Sequence, residues 1–460
     1  MNTVKSINPA SGKLVGETPV TSKTELAAVV SKARFASKSW ENTSFSDRSE
    51  YAFKLKDLLT KHKEEIAQLT TSEVGKPITE AREDVDFEID FIDYYAKNAE
   101  KILGEKTIGE DNRAIYKTVY EPWGVVVSIA PWNFPVSMAS SGITAQLMAG
   151  NTVIFKPSEY TTLTQKMFVE LFNLTGLPDG VLQCVVGAGD VGSALIDCDI
   201  NFVWFTGSTK VGQEIYKKCA GKFIKCSLEL GGSSPAVVFS DCNFKAAVET
   251  VFSARFFNCG QVCSAVKRLF IEKNIYKQFI EALIRKMKNI VVGDPMDSKT
   301  TMGPLVSKKQ LNTLLMQVTD AKHKGAKFLT GGMQITDRQY IKGNFFEPSI
   351  VVNITKDMKL YNDEIFGPVL PVIPFEDEQE AIEYANDTQY GLTAEIFTED
   401  NEKAKRVARS IDAGGISVNG DVIYSPLCPI GGFKKSGIGR EYGEEGFKEL
   451  AQLKYICEHK

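Results

Sequence analysis

Two side chains in the middle of the sequence have the chemistry of a nucleophile and a base. Cys263 lies in the Gly-, Gln- and Asn-rich segment 257–264, while four of the other eight cysteines lie in or beside apolar runs. Glu229 stands between two leucines at the end of a predicted strand, where a carboxylate must be paired, hydrated or raised in pKa. Cys263 is therefore either a nucleophile or a small buried hydrophobe. Glu229 is either a general base or a structural salt-bridge partner.

Histidine is scarce, which limits the chemistry open to Cys263. The three histidines are His62, His323 and His459, and each stands beside a lysine. A cysteine–histidine hydrolase pair has no obvious base, and the spacing of zinc ligands is absent. We expect no metal site. If Cys263 is a nucleophile, a carboxylate should accept its proton, and Glu229 is the best placed candidate.

Two glycine-rich turns have the composition of a phosphate site. Residues 187–192 read GAGDVG, a literal GxGxxG between a predicted strand and helix, which is a dinucleotide fingerprint or only a turn. Residues 205–212 read FTGSTKVG at a second strand–helix junction, where free N–H groups suit a diphosphate. Ser208 adds a hydroxyl there, but the same residue would also serve as an N-cap.

Composition excludes several classes of protein. The 460 residues carry 54 Lys and Arg against 58 Asp and Glu, a net charge of −4, so nucleic acid is not an expected partner. Nine cysteines without a CxxC pair predict a reducing, cytoplasmic location rather than a disulfide scaffold. No apolar run approaches the length of about 20 residues that spans a bilayer, and we expect no signal peptide and no membrane partner.

Short apolar runs alternate with helical patterns after about residue 125, which predicts an α/β protein with parallel sheets covered on both faces. Before them, 48–101 reads as two long helices broken at 75–77. The apolar run 450–457 predicts a strand that pairs within the subunit or with a neighbour. The strands are predicted at 125–129, 153–155, 181–186, 202–205 and 226–230, then, past a border near residue 230, at 235–239, 268–271, 350–352 and 416–418.

Seven motifs occur in a fixed order, and through them the sequence resembles the aldehyde dehydrogenase superfamily over essentially its whole length. The short chain and residues 255–268 look most like short bacterial and archaeal succinate semialdehyde dehydrogenases. The resemblance implies two Rossmann-like parallel-sheet domains and a small β oligomerisation element. The motifs are PWNFP (131–135), KPSE (156–159), FTGS (205–208), LELGG (228–232), GQVC (260–263), EIFGP (364–368) and GGFKKSG (431–437). The implied spans are 1–110 and 123–230 for the NAD(P)-binding domain, 231–435 for the catalytic domain, and 111–122 and 446–460 for oligomerisation.

The resemblance implies catalytic roles at matching positions. Cys263 would attack the aldehyde carbon, and Asn133 with the Cys263 backbone N–H would form an oxyanion hole. Glu229 would activate the water that hydrolyses a thioester. Glu441 matches a carboxylate of a proton exit path, or is a salt-bridge partner.

The implied cofactor is NAD or NADP. Lys156 and Glu159 would hold the adenosine ribose, and Glu364, with Phe366 beside it, the nicotinamide ribose. Ser208 and Trp132 would lie near the diphosphate and nicotinamide, and the 187–192 turn near the adenine. Glu159 repels a 2′-phosphate and so favours NAD⁺, although the nearby Lys156 leaves NADP⁺ tolerable. Further cofactor contacts are expected at Ile129, Ser158, Gly189, Phe205, Gly207, Val211, Gly212 and Leu230.

The leading substrate from the resemblance is succinate semialdehyde. Against it, Ser141 and Phe257 occupy two positions where longer succinate semialdehyde enzymes carry carboxylate-binding arginines. Phe134, Phe256 and Phe257 could form an apolar channel for aliphatic or aromatic aldehydes. Lactaldehyde, glyceraldehyde, aminoaldehydes and aromatic aldehydes therefore stay open.

Some positions and alternatives remain. Many family members carry a lysine where this chain has Gly142, and Cys259 is either a redox partner of Cys263 or an inert thiol. A CoA-acylating relative generally lacks the glutamate found at Glu229, and a non-catalytic homologue would have lost Cys263, Glu229 or Asn133. The terminal strand predicts a homodimer or homotetramer.

Overall fold

Helices flank two large sheets, as the α/β pattern predicts. The computed structural model describes residues 2–337 and 340–460. The strands of the first half are β1 (Thr3–Ile7), β2 (Leu14–Pro19), β3 (Lys106–Glu110), β4 (Ala114–Pro122), β5 (Val125–Ile129), β6 (Thr152–Lys156), β7 (Leu182–Cys184), β8 (Phe202–Thr206) and β9 (Lys225–Glu229). The others are β10 (Ser234–Val238), β11 (Val266–Glu272), β12 (Lys327–Thr330), β13 (Ser349–Val352), β14 (Val369–Phe375), β15 (Tyr390–Gly391), β16 (Thr393–Phe397), β17 (Gly415–Val418), β18 (Phe433–Lys434), β19 (Gly437–Ile438) and β20 (Ala451–His459).

Fourteen α-helices lie among the described residues. Of these, not one is both long and apolar enough to cross a membrane. The first seven are α1 (Lys23–Trp40), α2 (Phe45–Val74), α3 (Ile78–Leu103), α4 (Pro135–Met148), α5 (Thr162–Asn173), α6 (Gly189–Asp197) and α7 (Thr209–Ala220). The rest are α8 (Phe244–Phe256), α9 (Tyr276–Met287), α10 (Lys308–His323), α11 (Lys359–Asn362), α12 (Glu378–Asn386), α13 (Asn401–Ser410) and α14 (Gly443–Glu449).

The first sheet has the order β19-β9-β8-β5-β6-β7, and all its pairs are parallel except β19 with β9. Every residue of β5 and β6 is buried, which explains their continuous apolar runs. The carboxyl ends of β5, β8 and β9 meet at one edge. Asn133 and Gly207 follow β5 and β8, and Glu229 is the last residue of β9.

The second sheet has the order β12-β13-β14-β11-β10-β16-β17, with only β12 antiparallel to its neighbour. It starts only a few residues after β9. The chain later returns to the first sheet through β19, where Gly437 pairs with Glu229. The Leu230 N–H also donates to the Ser436 carbonyl at 2.8 Å. The spans proposed for the two domains stay a prediction.

A separate antiparallel sheet contains the terminal strand. Its order is β20-β4-β3, and β20 pairs with β4 along its full length, so the predicted terminal strand pairs within the subunit. The sheet also takes β3, which the implied boundaries assign to the nucleotide-binding domain. The second implied span, 446–460, begins inside α14 rather than in the strand.

The helix break at 75–77 is found where the sequence predicts it, because Gly75 ends α2 in a left-handed conformation with φ of 81° and Pro77 precedes α3. The sequence did not predict α4. Almost every residue of α4 is buried, and a helix buried on all sides has no apolar stripe to reveal its period.

Several charged side chains are buried where α3 packs against α4. Lys76 Nζ lies 3.7 Å from Asp84 Oδ2 and 3.6 Å from the centre of the Phe134 ring. Ser137 Oγ donates a hydrogen bond to Asp84. Glu88 is completely buried one turn further along α3, and this burial raises its pKa to about 8.

We predict that Glu88→Gln stabilises the protein more at alkaline than at acidic pH. The folded-state pKa of Glu88 lies above the ordinary value of 4.5. Below pH 4.5 this carboxyl is protonated in both the folded and the unfolded state and does not penalise folding. The penalty grows as pH rises and is complete above the folded-state pKa of about 8. Glutamine keeps the shape without the charge. The expected gain in Tm is about 2 °C at high pH and smaller at pH near 5, by thermal unfolding.

The exposed Glu83 of the same helix supplies the control, because Glu83→Gln removes an equal charge without relieving burial. Equal Tm changes for the two variants, or a larger gain for Glu88→Gln in acid, would contradict the assigned cause.

Candidate active site

A strained turn presents Cys263. After α8 a short 3-10 turn, Phe257–Gly260, contains Asn258 (φ 47°), Cys259 (φ 57°) and Gly260 (φ 71°) in the left-handed region. Left-handed non-glycine residues cost free energy and occur where the surroundings enforce them. A side chain at Gly260 would meet the Gly367 carbonyl oxygen at 2.6 Å. The loop that the sequence predicts around Cys263 is therefore a closely constrained one.

Amide groups hold this turn against the first sheet. Asn258 Nδ2 donates to the Asn133 carbonyl at 3.0 Å, and Asn133 Nδ2 donates to the Gln261 carbonyl at 3.0 Å. The Asn258 backbone N–H donates to Glu80 Oε2 at 2.9 Å. One N–H of the Asn133 amide is thus engaged, and its second N–H remains to donate elsewhere. The structure brings Asn133 beside the Cys263 loop, as the sequence predicts.

The Cys263 thiol is half-buried at the wall of a large cavity. Burial raises its pKa, while the charge of Lys267 and a contact with Tyr424 oppose that rise. The Sγ–Oη distance to Tyr424 is 3.7 Å. The sulfur is therefore mainly a neutral thiol near pH 7 and needs a proton acceptor to become nucleophilic.

Glu229 is a buried carboxyl group at the end of β9, and Oε1 has no hydrogen-bond partner among the described residues. Burial, then the nearby charge of Glu441, raises its pKa well above the ordinary range. Burial raises the pKa of Glu441 to about 8, and Thr206 Oγ1 donates to it at 3.2 Å. The charge of Glu229 also raises the pKa of Cys263, so the predicted nucleophile and base lie within electrostatic reach of each other.

The cavity has a volume of about 710 Å³ and extends past Cys263 in two directions. Toward the first sheet it meets the start of α7, where the Ser208 side chain makes no capping hydrogen bond. Ser208 therefore occupies the N-cap position without capping α7 through its hydroxyl, and the helix end is open to the cavity. The predicted site residues that line the cavity are Trp132, Asn133, Gly207, Ser208, Leu230, Cys263, Glu364 and Phe366.

Close packing leaves no room for a side chain at the two glycines of the 205–212 segment. A Cβ at Gly207 would lie 2.4 Å from the buried Phe205 ring, and one at Gly212 would lie 2.3 Å from the Leu230 side chain. Val211, by contrast, is exposed on α7. Backbone approach to the N-terminus of α7 is thus kept open by two small residues, which fits a diphosphate.

The residues predicted to hold the adenosine end lie outside the lining of this cavity. Lys156 ends β6 with Nζ donating to the Pro157 carbonyl at 2.8 Å, and burial lowers its pKa. A Cβ placed on Gly192 would lie 3.4 Å from the side chain of Lys156 and 3.6 Å from the side chain of Ile129. Gly189 opens α6 with free space beside its backbone. Glu159 is partly exposed.

Ser158 is buried in the turn after Lys156. Its hydroxyl accepts a hydrogen bond from the Tyr160 N–H at 3.3 Å, and its own N–H donates to Gln165 at 2.8 Å. The geometry therefore gives Ser158 a structural part in this turn, beside its predicted cofactor contact.

Lys267 is a site residue that the sequence did not predict. Its fully buried ammonium group donates to Glu364 Oε1 at 2.6 Å and to the carbonyls of Gly232 and Cys263 at 2.8 Å. Glu364 also accepts from the Gly232 N–H at 3.2 Å, and Phe366 packs edge-on against Trp132 at 5.6 Å. A lysine next to an arginine in an apolar strand, residues 266–268, was the available signal.

The substrate side of the cavity is aromatic and acidic. Phe134 and Phe257 stack at 6.1 Å, but the prediction for Phe256 is wrong, because its ring turns into the core of the second sheet against Phe252. Among the described lining residues no lysine, arginine or histidine occurs. The charged ones are Glu80, Glu83, Asp84, Glu364 and Asp421.

The space that a lysine at position 142 would need is filled. A Cβ at Gly142 would lie 2.3 Å from Ser128 Oγ and 2.9 Å from the Trp204 ring.

Cys259 packs in an apolar cluster with Met302 and Leu305, and burial raises its pKa. This environment favours the inert thiol over the redox partner.

Comparison with known proteins gives one consistent result. The family model "Aldehyde dehydrogenase family" matches residues 1–456. A mitochondrial succinate-semialdehyde dehydrogenase of Oryza sativa subsp. japonica is 36% identical over 460 residues, 99% of this chain and 86% of that protein. A probable NADP⁺ succinate-semialdehyde dehydrogenase of Sinorhizobium fredii is 34% identical over 98% of this chain and 91% of its own. The NAD⁺ complex of a betaine aldehyde dehydrogenase of Staphylococcus aureus superposes with a TM-score of 0.96 at 35% identity, covering 99% of this chain and 92% of that one.

We predict that Asn258→Ala lowers both stability and kcat. Alanine tolerates the left-handed conformation less well than asparagine. It also loses the two hydrogen bonds that Asn258 Nδ2 donates, to the Asn133 carbonyl at 3.0 Å and to the Gln261 carbonyl at 3.4 Å, and the combined loss is about 2 kcal/mol of unfolding free energy. Displacement of the Asn133 carbonyl should lower kcat more than it changes KM.

Asn258→Gly separates these causes, because glycine accepts the left-handed conformation without an amide. It should recover part of the Tm and none of the kcat. Thermal unfolding and steady-state rates measure both, and a wild-type kcat in either variant would contradict the assignment.

Proposed function

The chain belongs to the aldehyde dehydrogenase family, and we propose that it oxidises aldehydes with an uncharged or cationic chain through a thioester on Cys263. It is an NAD(P)⁺-dependent oxidoreductase. The observation that supports this proposal is the single cavity that joins the Cys263 thiol, the Asn133 amide and the open N-terminus of α7.

In the first step the Cys263 sulfur bonds to the aldehyde carbon and the thiol proton passes to Glu229 or to water. The free N–H of Asn133 and the Cys263 backbone N–H donate to the oxygen as it becomes negative. A preorganised donor of this kind contributes about 3 kcal/mol to the lowering of the barrier. The Asn258 and Gln261 contacts fix the Asn133 amide before substrate arrives.

The residues present fit a nicotinamide dinucleotide, which when bound accepts a hydride from the aldehyde carbon. Glu364, fixed by Lys267, would hold the nicotinamide ribose. Ser208 and the α7 N–H groups would hold the diphosphate, since no side-chain cap occupies that helix end. Lys156 and Glu159 would hold the adenosine ribose. The first sheet would thus bind the cofactor and the second supply the nucleophile.

In the last step Glu229 takes a proton from water as the water oxygen adds to the thioester carbon. The carbon–sulfur bond then breaks, the carboxylate leaves and the sulfur regains a proton. Glu441 lies close enough to shift the pKa of Glu229, and two such buried carboxyls do not both ionise readily. Glu441 is therefore placed to pass the proton onward.

The charge of the cavity wall separates two substrate classes. The names of the relatives favour succinate semialdehyde, which stays a candidate. Its distal carboxylate, however, would meet Asp421 with no cationic side chain among the described lining residues. Like charges at short range in a partly desolvated cavity repel, so we favour uncharged or cationic aldehydes.

We propose NAD⁺ as the preferred cofactor and a homodimer or homotetramer as the assembly. Glu159 opposes a 2′-phosphate, and a similar solved structure holds NAD⁺, although one relative is named for NADP⁺. For assembly, β20 is an edge strand of its sheet, and Leu453 and Tyr455 on it are exposed. Such an edge is covered when a neighbouring subunit packs on it.

The test of function is reduction of NAD⁺ by butanal and by succinate semialdehyde, two aldehydes of four carbons. Cys263→Ala should lose more than about 10³-fold in kcat. Glu229→Gln should keep one rapid turnover per active site and lose steady-state rate, because the thioester forms but is not hydrolysed. Butanal should exceed succinate semialdehyde in kcat/KM by about tenfold.

The pH profile follows from the raised pKa values. Cys263 and Glu229 must both lose protons and both are raised by burial, so activity should rise with pH above neutrality. An unchanged steady-state rate in Glu229→Gln, or turnover by Cys263→Ala, would refute the mechanism. A preference for succinate semialdehyde would refute only the charge argument.

For the cofactor, Glu159→Gln should lower the NAD⁺ to NADP⁺ ratio of kcat/KM by about tenfold, because it removes the charge that repels a 2′-phosphate. Glu170→Gln on the surface of α5 is the matched control, since Glu170 pairs only with Lys166. An unchanged ratio in Glu159→Gln would place that carboxylate away from the ribose.

A further inference from the structure

Glu395, in the middle of β16, is a buried acid that the chemistry above does not use. Its exposure is 1%, and neither carboxyl oxygen receives a hydrogen bond from a donor of the described residues. The group within hydrogen-bonding reach is another carboxyl, that of Asp421. A buried polar group without a donor is costly unless it holds a proton of its own.

The side chain of Glu395 lies on the face of β16 that is directed to the substrate side of the cavity. Side chains alternate along a strand, so Thr393, Glu395 and Phe397 share one face. Thr393 Oγ1 contacts the Ser264 carbonyl at 3.4 Å, next to the nucleophile. Phe397 packs in the same core as Ala254 of α8, and Ala254 lines the cavity. Glu395 thus lies behind the outer cavity wall.

Asp421 is an exposed residue of that wall, and two local hydrogen bonds hold it in place. The Val422 N–H donates to Asp421 Oδ1 at 2.7 Å, and Ser417 Oγ donates to the Asp421 carbonyl at 2.9 Å. The Asp421 carboxylate therefore faces the cavity in one orientation, with Glu395 beneath it.

The proton between the two acids belongs to Glu395. Burial raises the pKa of Glu395 well above its ordinary range, and the contact with Asp421 raises it further. Burial also raises the pKa of Asp421, but the Val422 N–H and the contact with Glu395 oppose that rise. Two carboxyls in contact do not both ionise, so Glu395 donates a hydrogen bond and Asp421 keeps the negative charge.

We propose that Asp421, oriented by Glu395, forms a subsite that binds an ammonium group at the far end of the aldehyde. The proposal rests on the proposed function, since it concerns the second end of the same substrate. Asp421 contacts the ligand in this scheme, and Glu395 is a positioning residue.

Three features favour an ammonium group over other ends. A carboxylate would be repelled by Asp421. A hydroxyl group could donate to it but gains nothing from the surrounding rings. The Phe134 ring already carries the Lys76 ammonium group at 3.6 Å, but Phe257 and the nearby Tyr424 also line the cavity, and aromatic faces attract cations.

The test is the ratio of kcat/KM for 3-aminopropanal to that for propanal, near neutral pH and saturating NAD⁺. The wild-type ratio should be about tenfold in favour of the amine, and Asp421→Asn should lower it about tenfold, mainly through KM of the amine. Glu395→Gln should hold the ratio within about threefold of wild type, because its amide still donates to Asp421. Glu395→Leu should lower it.

Glu83→Gln is the matched control, because it removes an equal charge from an exposed position of the same cavity. In Glu83→Gln the ratio of kcat/KM for 3-aminopropanal to that for propanal should change by less than about threefold. An equal loss in Glu83→Gln would reduce the effect to general charge and overturn the subsite. If Glu395→Leu fails to fold by circular dichroism, the Asp421→Asn and Glu395→Gln pair still tests the proposal.

Two outcomes in the wild type separate this proposal from the proposed function. Absence of Cys263-dependent oxidation of propanal and of the amine would refute the function itself. Oxidation of propanal with a ratio near one, or a faster reaction with 3-hydroxypropanal than with 3-aminopropanal, would overturn the ammonium subsite alone.

Discussion

The buried ammonium group of Lys267 is the interaction on which the geometry of the site depends. It joins the carbonyl of Cys263, the carbonyl of Gly232 and the carboxylate of Glu364 at 2.6 to 2.8 Å. These acceptors belong to the nucleophile loop, the linker between the sheets and the segment beside the cofactor pocket. A buried cation with three acceptors tolerates little displacement of any of them, because losing one partner leaves charge uncompensated. The Cys263 loop and the segment that carries Glu364 are therefore held in a fixed position relative to each other.

Around that centre the protein keeps acids away from water. Glu229, Glu441 and Glu395 are all buried, and their pKa values are raised by that burial. Each therefore holds a proton near neutral pH and can release it only when a neighbour or a reacting group accepts the charge. In the proposed function the same physical cause would serve both the activation of water by Glu229 and the orientation of Asp421 by Glu395.

Much of the site could be predicted from the sequence because its residues stand in compact motifs. Cys263, Asn133 and Glu364 line one cavity, and the alternation of strands and helices predicted both sheets. Lys267 and Glu395 could not be predicted, because a charged residue in an apolar strand gives no sign of a distant partner. The partner of Lys267 is Glu364, 97 residues away, and that of Glu395 is Asp421, 26 residues away. The error at Phe256 has a similar origin, since the turn after α8 reverses which ring meets the cavity.

The return of the chain to β9 has a consequence for biosynthesis. The strand that ends in Glu229 gains its last neighbour, Gly437, only from residues translated about two hundred positions later, and the acceptor of the Leu230 N–H, the Ser436 carbonyl, comes from the same segment. A nascent chain that has already emerged past Cys263 therefore still has an open edge on this strand. The edge of the first sheet beside Glu229 is completed only when synthesis has passed residue 437, so this part of the candidate site is among the last to form.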